Sequence, residues 1–232
     1  MLAKKKRLGG SVSVNTDAGL VEIPEIVSRS HAAFRAWAMD NDLPEKTRVD
    51  FYRGKVWVDM GKEQIFSHAL LKTVIAAVLL PLIDDEEVGF YSCNGLLLSN
   101  EDTGLSCNPD GVFVSTKTLD EGRVVVQEGV RSGFTEIVGT PDMILEVVSD
   151  SPVTKDKKEY RQAYWEAGIS EYWLVDCHDD RHEFQIFKHT AKGYVETRKV
   201  SGWTRSEVFR KSFRLTRKIV RDGTPRFKLE VR

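Results

Sequence analysis

The sequence predicts a mixed α/β fold, a β-sheet flanked by helices with additional antiparallel hairpins. Two observations predict it. PDMILEVVSD, Pro141 to Asp150, is an apolar strand followed by a basic helical segment and then by a second apolar strand, SEYWLVD, ending at Asp176. Strand, helix, strand favours a parallel pair. On either side, short apolar runs divided by Gly or polar turns read as antiparallel hairpins.

The chain of 232 residues, 41% hydrophobic and 30% charged, suits one domain over residues 23–232. Residues 1–22 contain Gly and Ser, are weakly patterned, and read as a flexible N-terminal arm. Net charge is −1, but residues 181–232 hold 15 Lys or Arg against 5 Asp or Glu, a basic β-rich end at +10 that leaves −11 for the remainder. An acidic front suits a metal ion and a basic end suits phosphate. Cys93, Cys107 and Cys177 lie far apart with no CxxC pair, so neither a zinc site nor a disulfide framework is indicated. Lys4 to Arg7 is basic, but SVSVNTDAG after it is not the apolar core of a signal peptide. No apolar run approaches the ~18 residues of a membrane span. A cytoplasmic protein without a membrane partner is the expectation.

In chain order, Ile26, Ala33, Phe34 and Trp37 fall near helical spacing within Pro24 to Asn41. RVDFYRGKVWVDM reads as a hairpin turning at Arg53-Gly54. Residues 63–83 form the longest helical pattern, with Ile65, Ala69, Leu70, Val74, Ala77, Val78 and Leu82 on one side and Pro81 near its end. GFYSCNGLLLSN and NPDGVFVST are strand-like, separated by a polar loop from Glu101 to Cys107. Gly122 to Gly139 has two apolar runs and reads as an inserted hairpin. Ser151-Pro152 resembles a helix start, Ala167-Gly168 a helix end, and the remainder is a series of short strands.

The chemistry is expected at Glu146. Side chains alternate along a strand, so Asp142, Ile144, Glu146 and Val148 share one face. A carboxylate among aliphatic neighbours must be paired, bind a metal, or become neutral. Asp142 and Glu146 are four residues apart, roughly 13 Å along a strand, too far to share one ion. Asp110, at the start of GVFVS, reaches Glu146 if the two strands pair. Two carboxylates suit Mg²⁺ or Mn²⁺, which polarise a phosphate and lower the pKa of a water. Phosphodiester cleavage also needs a cation. Val148 cannot supply it. Lys157 shares a helical face with Tyr160 and Tyr164 and is the first choice, with Lys155 second and Lys158 pointing about 100° away. His68 is a weaker candidate. Nucleophile elbows, a Walker loop and the dinucleotide glycine fingerprint are absent.

NPDGVFVS, PDMILEVVSDSPVTKD and YWEAGISEYWLVD resemble the Uma-type putative restriction endonucleases of the PD-(D/E)XK nuclease superfamily, over about residues 45–180. The resemblance implies a restriction-endonuclease-like sheet with Asp110 and Glu146 as metal ligands. It implies a displaced lysine on the following helix, where this chain has Tyr160 at the usual position. It also aligns Asp50 with a glutamate of the family and His68 with a histidine, as further ligands or water-orienting groups. The function expected is a Mg²⁺-dependent (or Mn²⁺-dependent) endonuclease acting on DNA. The basic end would contact phosphates, and a homodimer would serve to cut both strands. A second reading follows from Val148 and Tyr160: a catalytically impaired nuclease fold kept as a DNA-binding or interaction module.

Overall fold

The computed structural model of the chain describes residues 11–16, 19–39, 43, 47–59, 63–93, 95–129, 133–148, 157–178 and 180–232. They group into two compact units. The first draws on Met1–Gly61, Gly95–Asn108 and Val126–Gly139, the second on Lys62–Asn94, Pro109–Val125 and Thr140–Arg232.

In the first unit, β1 (Ser11–Thr16) and β2 (Gly19–Pro24) form an antiparallel hairpin. The single helix expected over Pro24 to Asn41 is two, α1 (Glu25–Arg29) and α2 (His31–Met39). They divide at Ser30, whose backbone is extended (φ −144°, ψ 126°) and whose hydroxyl accepts from Ala33 N–H at 3.4 Å, so the chain restarts its helix there. β3 (Arg48–Tyr52) and β4 (Lys55–Asp59) form the expected hairpin. Its two-residue turn requires positive φ at both positions, and Arg53 and Gly54 have 51° and 77°. With β6 (Leu97–Asn100), β7 (Leu105–Cys107), β9 (Val124–Glu128) and β10 (Phe134–Gly139) they build a sheet of order β4-β3-β7-β6-β10-β9. The stretch expected as a polar loop thus contains the short strand β7. Val27, Phe34, Val49, Phe51 and Leu97 form this unit's core, and Arg35 neutralises the buried Glu136 through Nε at 2.8 Å and Nη2 at 3.0 Å.

The second unit is built on a sheet of order β14-β13-β12-β11-β8-β5. Its strands are β5 (Gly89–Ser92), β8 (Gly111–Ser115), β11 (Met143–Val147), β12 (Glu171–Asp176), β13 (Glu183–Thr190) and β14 (Gly193–Glu196). β11 and β12 are parallel, joined through α5 (Lys157–Glu166), and the other pairs are antiparallel. This is the strand-helix-strand unit that the sequence predicts. α4 (Thr116–Asp120) follows β8, and β15 (Thr204–Arg205), β16 (Ser212–Ile219) and β17 (Pro225–Val231) form a small antiparallel sheet.

α3 (Leu71–Glu86), entered through a π-helical stretch Ile65–Leu70, packs with Phe213, Leu215, Phe227 and Leu229 against the sheet face bearing Met143, Leu145, Val147, Trp173 and Val175. Two expectations change here. Pro81 lies inside the helix, which continues to Glu86 and closes on Glu87 in the left-handed region (φ 50°). The side turned inward carries Leu71, Lys72, Ile75, Ala76, Leu79 and Ile83, whereas Leu70, Val74, Val78 and Leu82 are only partly buried. An almost uniformly apolar helix has no preferred stripe, so periodicity cannot select its inner face. By length and composition alone, Ile65–Glu86 (22 residues, mean hydropathy 1.9) is also sufficient to cross a membrane, contrary to the sequence expectation; its inner side is core.

Candidate active site

Asp110 immediately precedes β8. The antiparallel register of β8 with β11 pairs Leu145 with Gly111 and Ile144 with Val112, and continued by one step it would bring Asp110 toward Glu146. Directly opposed residues have Cβ atoms about 5 Å apart on one face. The sequence expectation needed these strands to pair, and they do. Gly111 is glycine for a local reason: a Cβ there would lie 2.2 Å from the Tyr91 hydroxyl.

Asp110 is 3% exposed. Its Oδ2 accepts from the Val147 N–H at 2.9 Å and from His68 Nε2 at 3.2 Å, and its Oδ1 faces Lys72 Nζ at 3.5 Å. Burial works against its charge, but the hydrogen bond and charge of His68, the Lys72 ammonium and the Val147 N–H outweigh burial and hold its carboxyl below the usual range. Glu63 closes the cluster from outside. Its Oε1 accepts from Lys72 Nζ at 2.7 Å and its Oε2 lies 3.5 Å from His68 Nδ1. His68 and Lys72 stand four residues apart, one helical turn, across the junction between the π-helical stretch and α3, which directs both at Asp110.

Glu146 is half-buried, and its Oε1 accepts from the Tyr164 hydroxyl at 2.5 Å. Tyr164 is fully buried on α5 and packs on Tyr160 and Tyr172 at centroid distances of 6.0 and 5.6 Å. Burial, then the charge of Glu146, drives the Tyr172 hydroxyl well above its ordinary pKa. Asp142 is structural: its oxygens accept from Ser115 N–H at 2.7 Å and from the Thr118 hydroxyl at 2.8 Å.

The sequence-derived residues therefore divide. Asp110 and His68 meet in the second unit, to which Glu146 also belongs, bonded to Tyr164. Asp50 belongs to the first, where its Oδ1 accepts from the Asn108 N–H at 2.8 Å and side-chain amide at 3.1 Å. Lys157 is the first residue of α5, and Lys155 lies outside the described residues. Sequence reasoning missed Lys72 and Glu63. The signal for Lys72 was present: it is a single charge in an apolar run from Ile65 to Ile83.

The donors are of the chemical kind a divalent ion takes. Asp110 and Glu146 offer hard oxygens from adjacent strands, and counting Glu63 the cluster holds three carboxylates against one lysine. Among the described residues no group of three or more His, Cys, Asp or Glu is arranged around a common metal position. Two carboxylates with remaining positions filled by water is the coordination Mg²⁺ and Mn²⁺ favour.

The family described as "Uma2: Putative restriction endonuclease" matches residues 32–218. Among solved structures, the chain is similar to a protein from Anabaena variabilis ATCC 29413 described as a putative nuclease belonging to DUF820. That likeness has a TM-score of 0.51 at 14% identity and covers 70% of this chain and 83% of that one. At that identity it shows the fold, a restriction-endonuclease-like α/β sheet. No curated protein matches the chain. With more than three quarters of its length matched, the chain belongs to the Uma2 family of putative restriction endonucleases.

Proposed function

We propose that this protein is a metal-dependent endonuclease that hydrolyses phosphodiester bonds of DNA, with Asp110 and Glu146 holding Mg²⁺ or Mn²⁺. The observation that supports the reading is the antiparallel pairing of β8 with β11, which carries these carboxylates at neighbouring strand ends, with Asp110 kept ionised by a buried lysine and histidine. When bound, the ion polarises the phosphate and lowers the pKa of a water. The Val147 N–H and His68 fix the orientation of Asp110, and the Tyr164 hydroxyl fixes Glu146. In the reaction a water oxygen bonds to phosphorus while the bond to the leaving deoxyribose oxygen breaks. The proton lost by water passes to solvent, and the leaving oxygen takes one up.

A polyanionic partner is supported by the outer face of the β15–β17 sheet. Phe213, Leu215, Phe227 and Leu229 turn inward, so the alternate residues Arg214, Lys218, Arg226, Lys228 and Glu230 point away from the core, with Glu230 paired to Arg214 and Lys228 and leaving Lys218 and Arg226 as the surplus charge. Lys218 stands directly opposite Arg226. Like charges in that position destabilise a sheet unless an anion lies between them. Phosphate contacts of this kind act on any sequence and weaken with salt. A two-fold dimer of the protein would present two such sites to a duplex.

The test is cleavage of supercoiled plasmid with Mg²⁺ by the wild type, Glu146→Ala and Asp110→Asn. Cleavage by the wild type alone is expected. Unchanged cleavage by Glu146→Ala would overturn the assignment.

A further inference from the structure

The geometry points to Lys72 as the cation of the reaction, reaching the site from α3 rather than from the chain after β11. This rests on the endonuclease reading above and adds a residue to it.

The superfamily lysine is missing at two positions. Val148 stands two residues after Glu146, and Tyr160 occupies the displaced position on α5. Among the described side chains of α5, Tyr160 stacks on Tyr164, and it is the Tyr164 hydroxyl that meets the Glu146 carboxylate. Arg161 is engaged elsewhere, its guanidinium 4.1 Å from the Phe187 ring and donating to the Tyr194 carbonyl at 3.0 Å.

Lys72 is the reverse case. It is 2% exposed, on the helix side that otherwise carries Leu71, Ile75, Ala76 and Leu79, where an aliphatic side chain would serve packing better. Keeping an ammonium charged there is costly unless it is paired. Its pairing is specific: Nζ lies 2.7 Å from Glu63 and 3.5 Å from Asp110. A cation is thus held against the carboxylate of Asp110.

Glu63 shows how substrate would reach it. With its side chain 34% exposed it is the open end of the cluster, and its carboxylate presents the ammonium with an anionic oxygen at hydrogen-bond distance. A phosphate oxygen of the DNA displaces Glu63 and takes the same hydrogen bond. Lys72 keeps its proton throughout, orients the attacking water and offsets the charge that builds on the phosphate. The balance of bonds and protons is that of the hydrolysis above.

The experiment compares Lys72→Met, Lys72→Arg and Lys157→Met for plasmid cleavage, with Mn²⁺ affinity by calorimetry and melting temperature measured alongside. Lys72→Met is expected to cleave at least about 100-fold more slowly. It should bind Mn²⁺ about tenfold more tightly, because a positive charge beside Asp110 is gone. Lys72→Arg, which keeps the charge, should recover at least about tenfold of the lost rate. A lysine that merely holds the fold loses stability in the same way but predicts that Mn²⁺ affinity falls together with cleavage. The assignment is overturned by that result, by Lys72→Met cleaving within threefold of wild type, by Lys72→Arg doing no better than Met, or by Lys157→Met losing as much as Lys72→Met. Should Lys72→Met not fold, Lys72→Arg is read against wild type: cleavage within about tenfold upholds the role, and complete loss with Mn²⁺ binding intact overturns it. Wild-type protein that neither binds Mn²⁺ nor cleaves defeats the endonuclease reading itself. Wild-type cleavage with any failure above defeats only Lys72.

Discussion

Replacing Asp110 by Asn keeps the shape of the side chain and an oxygen for the Val147 N–H while removing the charge that faces Lys72. The two charged groups are 3.5 Å apart with side chains 4% and 3% exposed. At an effective dielectric of 20 their attraction amounts to about 5 kcal/mol, and desolvation cancels a large part of it. Breaking one partner of a buried pair typically destabilises by about 3 kcal/mol, and the share of Lys72 that Glu63 retains lowers the expectation to about 2. Lys72→Met should cost a similar amount. The double variant, with neither charge buried, should be more stable than the sum of the singles by about 1–3 kcal/mol.

Urea unfolding of the four proteins at pH 7 without metal measures this cycle. The pH dependence supplies a sign. The Asp110 pKa is lower folded than unfolded, so its stabilising contribution is present above the unfolded value of about 4 and is lost as pH falls through the folded one. The gap between wild type and Asp110→Asn should therefore close in acid and stay open at neutrality. Single effects that add within about 0.5 kcal/mol, or a gap independent of pH, would refute the reasoning.

Three further outcomes are expected. Tyr164→Phe removes the 2.5 Å hydrogen bond that orients Glu146 and should weaken Mn²⁺ binding about tenfold with the fold intact, as calorimetry and melting will show. Lys218→Glu relieves the like-charge pair with Arg226, so melting temperature should rise slightly while DNA affinity falls and its salt dependence becomes shallower. Thiol labelling at pH 8 should find Cys93, which is exposed, reacting fast and Cys177 inert, because burial, opposed only partly by Arg217, pushes its thiol up to about 12.

The parts of this protein that follow short-range rules are legible in its residues alone. The alternation of PDMILEVVSD, the Gly168 stop and the second apolar strand specify β11-α5-β12, because strand period, helix capping and parallel crossover act within about 35 residues. The same alternation separated Asp142 from Glu146 and left Asp110 as the expected partner, and the pairing of β8 with β11 on which that expectation depends is present. What surrounds Asp110 depends on long-range packing. α3 is apolar on nearly every side, so its sequence carries no preference for one face, and the sheet selected the side bearing Lys72. The cluster of Glu63, His68 and Lys72 around Asp110 is set by how a helix lies on a sheet, a contact between residues about forty positions apart that no local pattern encodes.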